Sequence, residues 1–254
     1  AGSILEDEDQ RGLAHFVEHM AFNGTKNFEK QAIVDYLELL GAAFGPDLNA
    51  YTSFDETVYM LKVPTDSTEI VETAFKILSE WAQHIAFEEE EIEKERGVVI
   101  EEWRGRLGAN DRMQNKHLPI LLKGSQYADR LPIGTHESLQ NFKPDAARRF
   151  YRDWYRPELM AVIAVGDFEA EHIENLILEN FSGIEKRDDV REREEFSIPP
   201  HEETYISIAT DPEAQASVIQ LLYKHAKIEE GTYRAYRNSL VSSLYDAMLS
   251  ARFT

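Results

Sequence analysis

Two histidines and one glutamate stand close together near the start of the sequence, in the segment His15-Phe16-Val17-Glu18-His19. On a helix, His15 and His19 lie one turn apart and project from the same face, so their imidazoles can bind one zinc ion. Glu18 follows His15 by three residues and lies on that face too. A carboxylate in this position can accept a proton from a zinc-bound water and return it to a leaving amine. The segment therefore predicts a zinc site with its own general base.

A helix over residues 11–22 must hold these side chains. Its apolar residues recur at helical spacing: Leu13, Phe16, Val17, Met20 and Ala21. Asn23-Gly24 then supplies a signal that ends the helix. Such a helix can be anchored by its apolar stripe while it presents the histidines and the glutamate to a cavity. The alternative interpretation is a helix with two surface histidines, one of them paired with a glutamate.

A catalytic zinc site needs a third protein ligand and an open position for water. The sequence has no cysteine, so the third ligand must be a histidine or a carboxylate. The acidic segment from Glu88 to about Arg106 has a helical pattern and offers Glu95 and Glu102, which are seven residues apart and thus share one face. Spacing alone does not choose between these two. Residues 88–91 are better explained as a solvated, acidic first turn of the helix.

The sequence carries 27 basic and 47 acidic residues, which gives a formal net charge of −20. A field of that sign repels phosphate backbones and anionic membrane surfaces, so we expect no nucleic acid as a partner. No apolar run approaches the roughly 18 residues that can span a bilayer, so no transmembrane segment is expected. Residues 1–5 lack the regions of a signal peptide, and the helical pattern over 240–254 stops abruptly. We therefore expect a fragment of a longer protein.

The rest of the sequence mixes helical and strand patterns. Strands are predicted at residues 48–52, 57–63, 159–165, 204–209 and 216–223, the third of them as a buried strand. Several alternate in a way that suits one wet face, so we expect an α+β fold with a mixed, mainly antiparallel sheet packed against helices. A charged segment with two prolines, residues 183–203, is the predicted linker. It separates a zinc-binding domain over 1–182 from the start of a second, incomplete α+β domain over 204–254.

Five segments in combination resemble the pitrilysin/insulinase family of zinc peptidases, and within it bacterial, often periplasmic, zinc proteases. The segments are Gly12 to Thr25, Asn49 to Thr52, Glu95 to Glu102, Pro132 to Thr135 and Phe150 to Tyr155. His15 to His19 is the inverted zinc motif H-x-x-E-H. The resemblance runs from residue 1 to about residue 180 and more weakly to the end. It implies the pitrilysin/mitochondrial processing peptidase-like fold, with a first domain that lacks its N-terminal strand.

The resemblance also implies roles for single residues. By it, His15, His19 and Glu102 are the zinc ligands and Glu18 is the general base. Glu95 corresponds to a second acidic residue near the site, where it could orient a ligand. The segment Asn49, Ala50 and Tyr51 looks like the family's edge strand, which pairs with the backbone of the substrate.

The same resemblance implies a zinc-dependent endopeptidase with Zn²⁺ as cofactor, unstructured peptides as substrates and the periplasm as location. Family members close two halves around a peptide, so the missing C-terminal half, of the same or a paired chain, is the expected partner. The fragment alone should then be inactive or weak. The alternative is a noncatalytic, peptide-binding half of a peptidase assembly. The complete H-x-x-E-H motif argues against that alternative, because a site without chemistry has no need of the glutamate.

Overall fold

The structure is a computed structural model, and it describes residues 1–30, 32–39, 47–225 and 231–253. Within these residues the chain forms nine α-helices and two β-strands. In chain order they are α1 (Leu13–Met20), α2 (Ala32–Leu39), β1 (Leu48–Thr52), β2 (Thr57–Leu61), α3 (Thr68–Gln83), α4 (Glu89–Gly105), α5 (Ala109–Leu121), α6 (His136–Asn141), α7 (Pro144–Trp154), α8 (Ala170–Phe181) and α9 (Tyr233–Phe253). Short 3₁₀ helices occur at Ser3–Leu5, Glu8–Gln10, Gln126–Asp129 and Pro157–Leu159.

The chain divides into two compact units, Ala1–Ala214 and Gln215–Thr254. The first unit contains the helices α1 to α8 and both strands, and the second contains α9. The bounds expected from the sequence, 1–182, 183–203 and 204–254, remain a prediction. Residues 226–230 and 254 of the predicted second domain lie outside the described residues.

Helix α1 lies in the middle of the main hydrophobic core. The apolar stripe expected from the sequence is completely covered, since Leu13, Phe16 and Val17 are fully buried and Met20 is 1% exposed. The ring of Phe16 meets that of Phe142 edge to face, with centroids 4.8 Å apart. The helix packs against α4, α7 and β1. Its apolar side chains therefore anchor the helix that carries His15, Glu18 and His19.

The two strands form an antiparallel hairpin in which Leu48 faces Leu61 and Thr52 faces Thr57. Side chains alternate along β1, because Leu48 is buried whereas Asn49 and Tyr51 are exposed. The predicted strand over 48–52 is confirmed, and the predicted strand over 57–63 ends at Leu61. Together with the surrounding helices this small sheet makes an α+β fold, as the sequence predicts.

Helix α4 completes the surroundings of α1. Its residues Ile92 and Val99, seven positions apart and thus on one face, are fully buried in the main core. A smaller apolar cluster lies between α3 and α8, where Phe75 packs with Ile173 and Leu176. None of the helices in the described part of the chain is long and apolar enough to cross a membrane.

Three predicted strands are wrong for the described residues. The sheet there contains β1 and β2 only, so residues 159–165, 204–209 and 216–223 have no partner strand. The segment 159–165 is not a buried strand either, because Ile163 is 83% and Val165 is 92% exposed. A strand is stabilised by hydrogen bonds to a neighbouring strand and by packing against it. An apolar sequence indicates the tendency to form a strand but cannot supply that neighbour.

Two glycines allow the start of α1 to lie close against the loop before α6. Gly12, the residue before the helix, has φ 91°, and Gly134 in the loop has φ 70°. A Cβ atom on Gly134 would lie 2.6 Å from the Cα of Gly12 and 2.7 Å from the carbonyl oxygen of Arg11. These contacts are backbone contacts, so a side chain at residue 134 would force the loop away from α1.

We therefore expect Gly134→Ala to lower the free energy of unfolding by about 2–4 kcal/mol, through backbone strain and overpacking. Gly97→Ala is the matched control: Gly97 lies inside α4, and nothing is within 4 Å of the position of its Cβ. That substitution should raise stability by about 0.5–1 kcal/mol, because alanine has the higher helix propensity. Urea unfolding of the two purified variants measures both changes. Equal effects of the two substitutions would contradict the prediction.

Candidate metal centre

Three side chains bring one donor atom each to a single point. Nε2 of His15 and Nε2 of His19 are 3.2 Å apart. Oε2 of Glu102 lies 3.6 Å from the first and 3.3 Å from the second. The ligand atoms of a tetrahedral zinc ion, with bonds of 2.0–2.1 Å, are about 3.3–3.4 Å from one another. The three donors are thus spaced as three corners of a zinc tetrahedron, and their chemistry suits that metal.

The packing of α1 against α4 produces this arrangement. His15 and His19 come from successive turns of α1, and Glu102 comes from α4. Each of the two glutamates considered from the sequence, Glu95 and Glu102, follows a buried α4 residue, Ile92 or Val99, by three positions. Burial of those apolar residues therefore turns both carboxylates toward the imidazoles of α1.

The structure separates the two glutamates by position. Glu102 lies beside the Nε2 atoms of both histidines, whereas Oε1 of Glu95 lies 2.7 Å from the other ring nitrogen, Nδ1, of His19. Oε2 of Glu95 also accepts a hydrogen bond of 2.7 Å from Nδ2 of Asn23. A carboxylate next to Nδ1 favours the tautomer with the proton on that atom, and this leaves Nε2 free to bind a metal.

The charges of the site favour a cation. Burial, together with the nearby His19, lowers the pKa of His15 to about 4, so this imidazole is neutral at pH 7. Burial also acts to lower the pKa of His19, but its hydrogen bonds to Glu102 and Glu95 outweigh burial and raise that pKa to about 9. The hydrogen bond from His19 lowers the pKa of Glu102 to about 2. Without a metal, a proton on His19 therefore supplies the positive charge that the two carboxylates require.

Glu18 lies on the same helix and is 7% exposed. Burial raises the pKa of its carboxyl, and a hydrogen bond from the hydroxyl of Thr52 acts in the opposite direction. That hydrogen bond joins Oγ1 of Thr52 to Oε2 of Glu18 over 2.6 Å. The sequence predicts no role for Thr52, although this residue ends the segment Asn49 to Thr52 that resembles the pitrilysin/insulinase family.

The predicted substrate strand is β1. Its edge away from β2 pairs with no strand among the described residues. At Ala50 the backbone N–H donates instead to Oδ1 of the neighbouring Asn49, over 2.9 Å. The hydroxyl of Tyr51 donates to Oε1 of Glu56 over 2.8 Å. The edge therefore carries backbone groups that an extended peptide could pair with, next to the strand end that contacts Glu18.

Glu6 is a second residue near α1 for which the sequence predicts no role. It is buried, and its carboxylate accepts hydrogen bonds from the backbone N–H groups of Gly12 and Ala14, over 3.0 and 2.8 Å. Burial raises the pKa of Glu6 to about 8. The guanidinium of Arg130 donates to the carbonyl oxygen of Glu6 over 3.0 Å. These bonds satisfy donors at the start of α1 and fix where the metal-site helix begins.

The protein-family model described as "Insulinase (Peptidase family M16)" matches residues 1–128. This range contains His15, Glu18, His19, Glu95 and Glu102. The chain belongs to peptidase family M16. A second model, "Peptidase M16 inactive domain", matches residues 141–249. The resemblance inferred from the sequence is thereby confirmed.

Two similar proteins are much longer than this chain. The chain is 40% identical over 252 residues to "Zinc protease PQQL-like" of Arabidopsis thaliana. The aligned region covers 99% of this chain and 26% of that protein. The chain is also similar to the periplasmic protease PqqL from Escherichia coli, with 38% sequence identity. The crystal structure of that protease matches with a TM-score of 0.73 over 78% of this chain and 22% of that one. The chain thus spans about a quarter of these relatives. The crystal structure of pitrilysin, 20% identical with a TM-score of 0.64, shares the fold.

The geometry predicts unequal effects on zinc binding. Glu102→Gln should weaken zinc binding by more than about 100-fold, because it removes a ligand, and Glu95→Gln by about 10–100-fold, because it only loses the orientation of His19. Glu101→Gln is the control, since Glu101 is exposed and pairs with Arg104. Competition titration against a chromogenic chelator measures all three dissociation constants. A larger loss with Glu95→Gln than with Glu102→Gln would reverse the assignment.

The pKa values predict a pH dependence with a definite sign. Between pH 6 and 8 His15 is already neutral and Glu102 is already ionised, whereas His19, with its pKa raised to about 9, must lose a proton to bind zinc. The apparent zinc affinity should therefore rise about tenfold per pH unit in this range. Isothermal titration at several pH values, in buffers of different ionisation enthalpy, measures the slope and the released proton. A constant affinity would contradict the prediction.

Proposed function

We propose that this chain is the zinc-binding part of an M16 endopeptidase that hydrolyses bonds within unstructured peptides. His15, His19 and Glu102 would hold the metal, and Glu18 would act as general base. The observation that carries the proposal is the tetrahedral spacing of the three donor atoms on helices α1 and α4, with the buried Glu18 on the same α1 helix. When bound, zinc would polarise the carbonyl of the scissile bond and lower the pKa of a bound water toward about 7.

Glu18 moves the proton in this reaction. Its carboxylate takes a proton from the attacking water while the oxygen of that water bonds to the carbonyl carbon. The protonated Glu18 then gives the proton to the nitrogen of the leaving amine as the C–N bond breaks. Burial suits Glu18 to this task, because it raises the pKa of the carboxyl toward the working range of a general base.

The strand β1 would hold the peptide. An extended substrate adds to the open edge at Asn49, Ala50 and Tyr51 by backbone hydrogen bonds, which requires little from its side chains. The side chain of Asn49 must first release the N–H of Ala50. Recognition through the backbone favours unstructured segments, since a folded protein has few free strand edges to offer.

The relatives suggest the context of this activity. Because the chain spans about a quarter of their length, we propose that a further, C-terminal part, in the same or a paired chain, closes over the peptide. The chain alone would then bind zinc weakly and cleave poorly. The relative from Escherichia coli is described as a periplasmic protease, and we propose the periplasm for this protein as well.

Glu18→Gln tests the proposal directly. In the full-length protein it should lower kcat for an unstructured fluorogenic peptide by about 10²–10⁴-fold, because the general base is lost. The zinc content should stay at that of the parent protein, since Glu18 is not a ligand. Glu101→Gln is the control that removes one exposed carboxylate from the neighbouring helix and should retain full activity. Undiminished cleavage by Glu18→Gln would rule out the assigned role.

A further inference from the structure

The carboxylate of Glu18 has two oxygens with different surroundings. Oε2 accepts the hydrogen bond from Oγ1 of Thr52, over 2.6 Å. Oε1 receives no hydrogen bond from the described part of the chain. A short bond to an ionised acceptor is among the stronger hydrogen bonds in proteins, so it restricts rotation of the carboxylate. One oxygen is therefore held and the other is left for a proton.

The direction of the Thr52 hydroxyl is determined by its neighbours. Thr57, its partner across the hairpin, donates its own proton to the carbonyl oxygen of Ala1 over 2.7 Å. Thr57 Oγ1 lies 3.3 Å from Thr52 Oγ1 but has no second proton to give. Thr57 Oγ1 can therefore only accept, and the single proton of Thr52 goes to the much closer acceptor, Oε2 of Glu18 at 2.6 Å. The β-branched side chain of threonine also has few χ1 choices, which limits how far the hydroxyl can turn.

Thr52 also belongs to the strand that we propose for substrate binding. It is the last residue of β1 and directly follows Tyr51. Side chains alternate along a strand, so Thr52 shares the face of Leu48 and Ala50, toward α1, while Asn49 and Tyr51 are on the other face. The backbone that would bind the peptide and the hydroxyl that contacts Glu18 are therefore parts of one short element.

We propose that Thr52 is a positioning residue, which holds Oε2 of Glu18 so that Oε1 faces the attacking water when a peptide lies on β1. This inference rests on the proposed function, because it assumes that Glu18 is the general base. The hydroxyl of Thr52 bonds to Glu18 and lies 3.3 Å from that of Thr57, and neither of these residues is a proposed metal ligand. It acts on the reaction through Glu18 alone.

Thr52→Val and Thr52→Ser in the full-length protein test this role. Valine keeps the size and the β-branch but lacks the hydroxyl, so kcat for an unstructured peptide should fall roughly 10–100-fold, the effect of losing a hydrogen bond to a charged group. KM and zinc content should stay within about twofold, because neither depends on that bond. Serine keeps the hydroxyl and should restore most of kcat. Thr73→Val, which removes from α3 a half-buried hydroxyl that donates to the carbonyl oxygen of Glu69, is the matched control and should leave kcat unchanged.

A double-mutant comparison separates positioning from a structural effect. Combined with Glu18→Gln, Thr52→Val should lower the residual kcat by less than about twofold, because the two residues act as a unit. An unchanged kcat in Thr52→Val, a failure of serine to restore it, or the same loss with and without Glu18 would overturn the inference. Melting temperature and zinc content show whether each variant is folded, and Thr52→Ala replaces Thr52→Val if that variant is not. Full activity of Glu18→Gln alone would instead overturn the proposed function.

Discussion

The packing of α1 against α4 is the contact on which the rest of the site depends. Neither helix contains a complete metal site, because α1 supplies two imidazoles and α4 supplies the carboxylate. Their relative position is set by side chains that do no chemistry: the apolar stripe of α1 and the buried pair Ile92 and Val99 of α4. Burying such side chains stabilises the fold by about 1.5–3 kcal/mol each. The core thus holds the polar groups close together. The free energy of burying its apolar side chains offsets the cost of removing water from those polar groups.

That closeness has an electrostatic consequence. Two histidines and two glutamates share a half-buried region. Burial without a charged partner shifts the pKa of such a group in the direction that favours its neutral form. His15 follows that rule and stays neutral, whereas His19 is surrounded by Glu95 and Glu102 and stays charged. A divalent cation at the Nε2 atoms would satisfy both carboxylates at once. The same burial that favours a metal ion at this site therefore makes the metal-free site depend on a proton at His19.

Backbone and hydroxyl contacts around α1 extend this organisation. Glu6 holds the first turn of the helix, and Gly12 and Gly134 let a loop approach it closely. Thr52 brings the end of β1 to the carboxylate of Glu18. The contacts at Gly134 and Thr52 join α1 to parts of the chain far away in sequence, whereas Glu6 precedes its partners by only six to eight residues. The contact of Thr52 connects the helix of the metal site to the strand proposed to bind the peptide, so binding and chemistry share one support.

Much of this was predictable from the sequence, because helix and strand periodicity and the spacing within a motif are local properties. His15, Glu18 and His19 on one helix face, the apolar stripe beneath them and the strand at 48–52 follow from these local patterns. The family was indicated separately, by the resemblance of five segments to known zinc peptidases. Spacing did not choose between Glu95 and Glu102, since residues seven apart share a face. The family resemblance implied Glu102, and the placement of α4 along α1 puts each carboxylate beside a different nitrogen of the histidines. Thr52 and Glu6 were missed because their partners lie on other elements. The strands expected at 159–165, 204–209 and 216–223 failed for the same physical reason: a strand exists only with a neighbour, and pairing is decided by the tertiary structure.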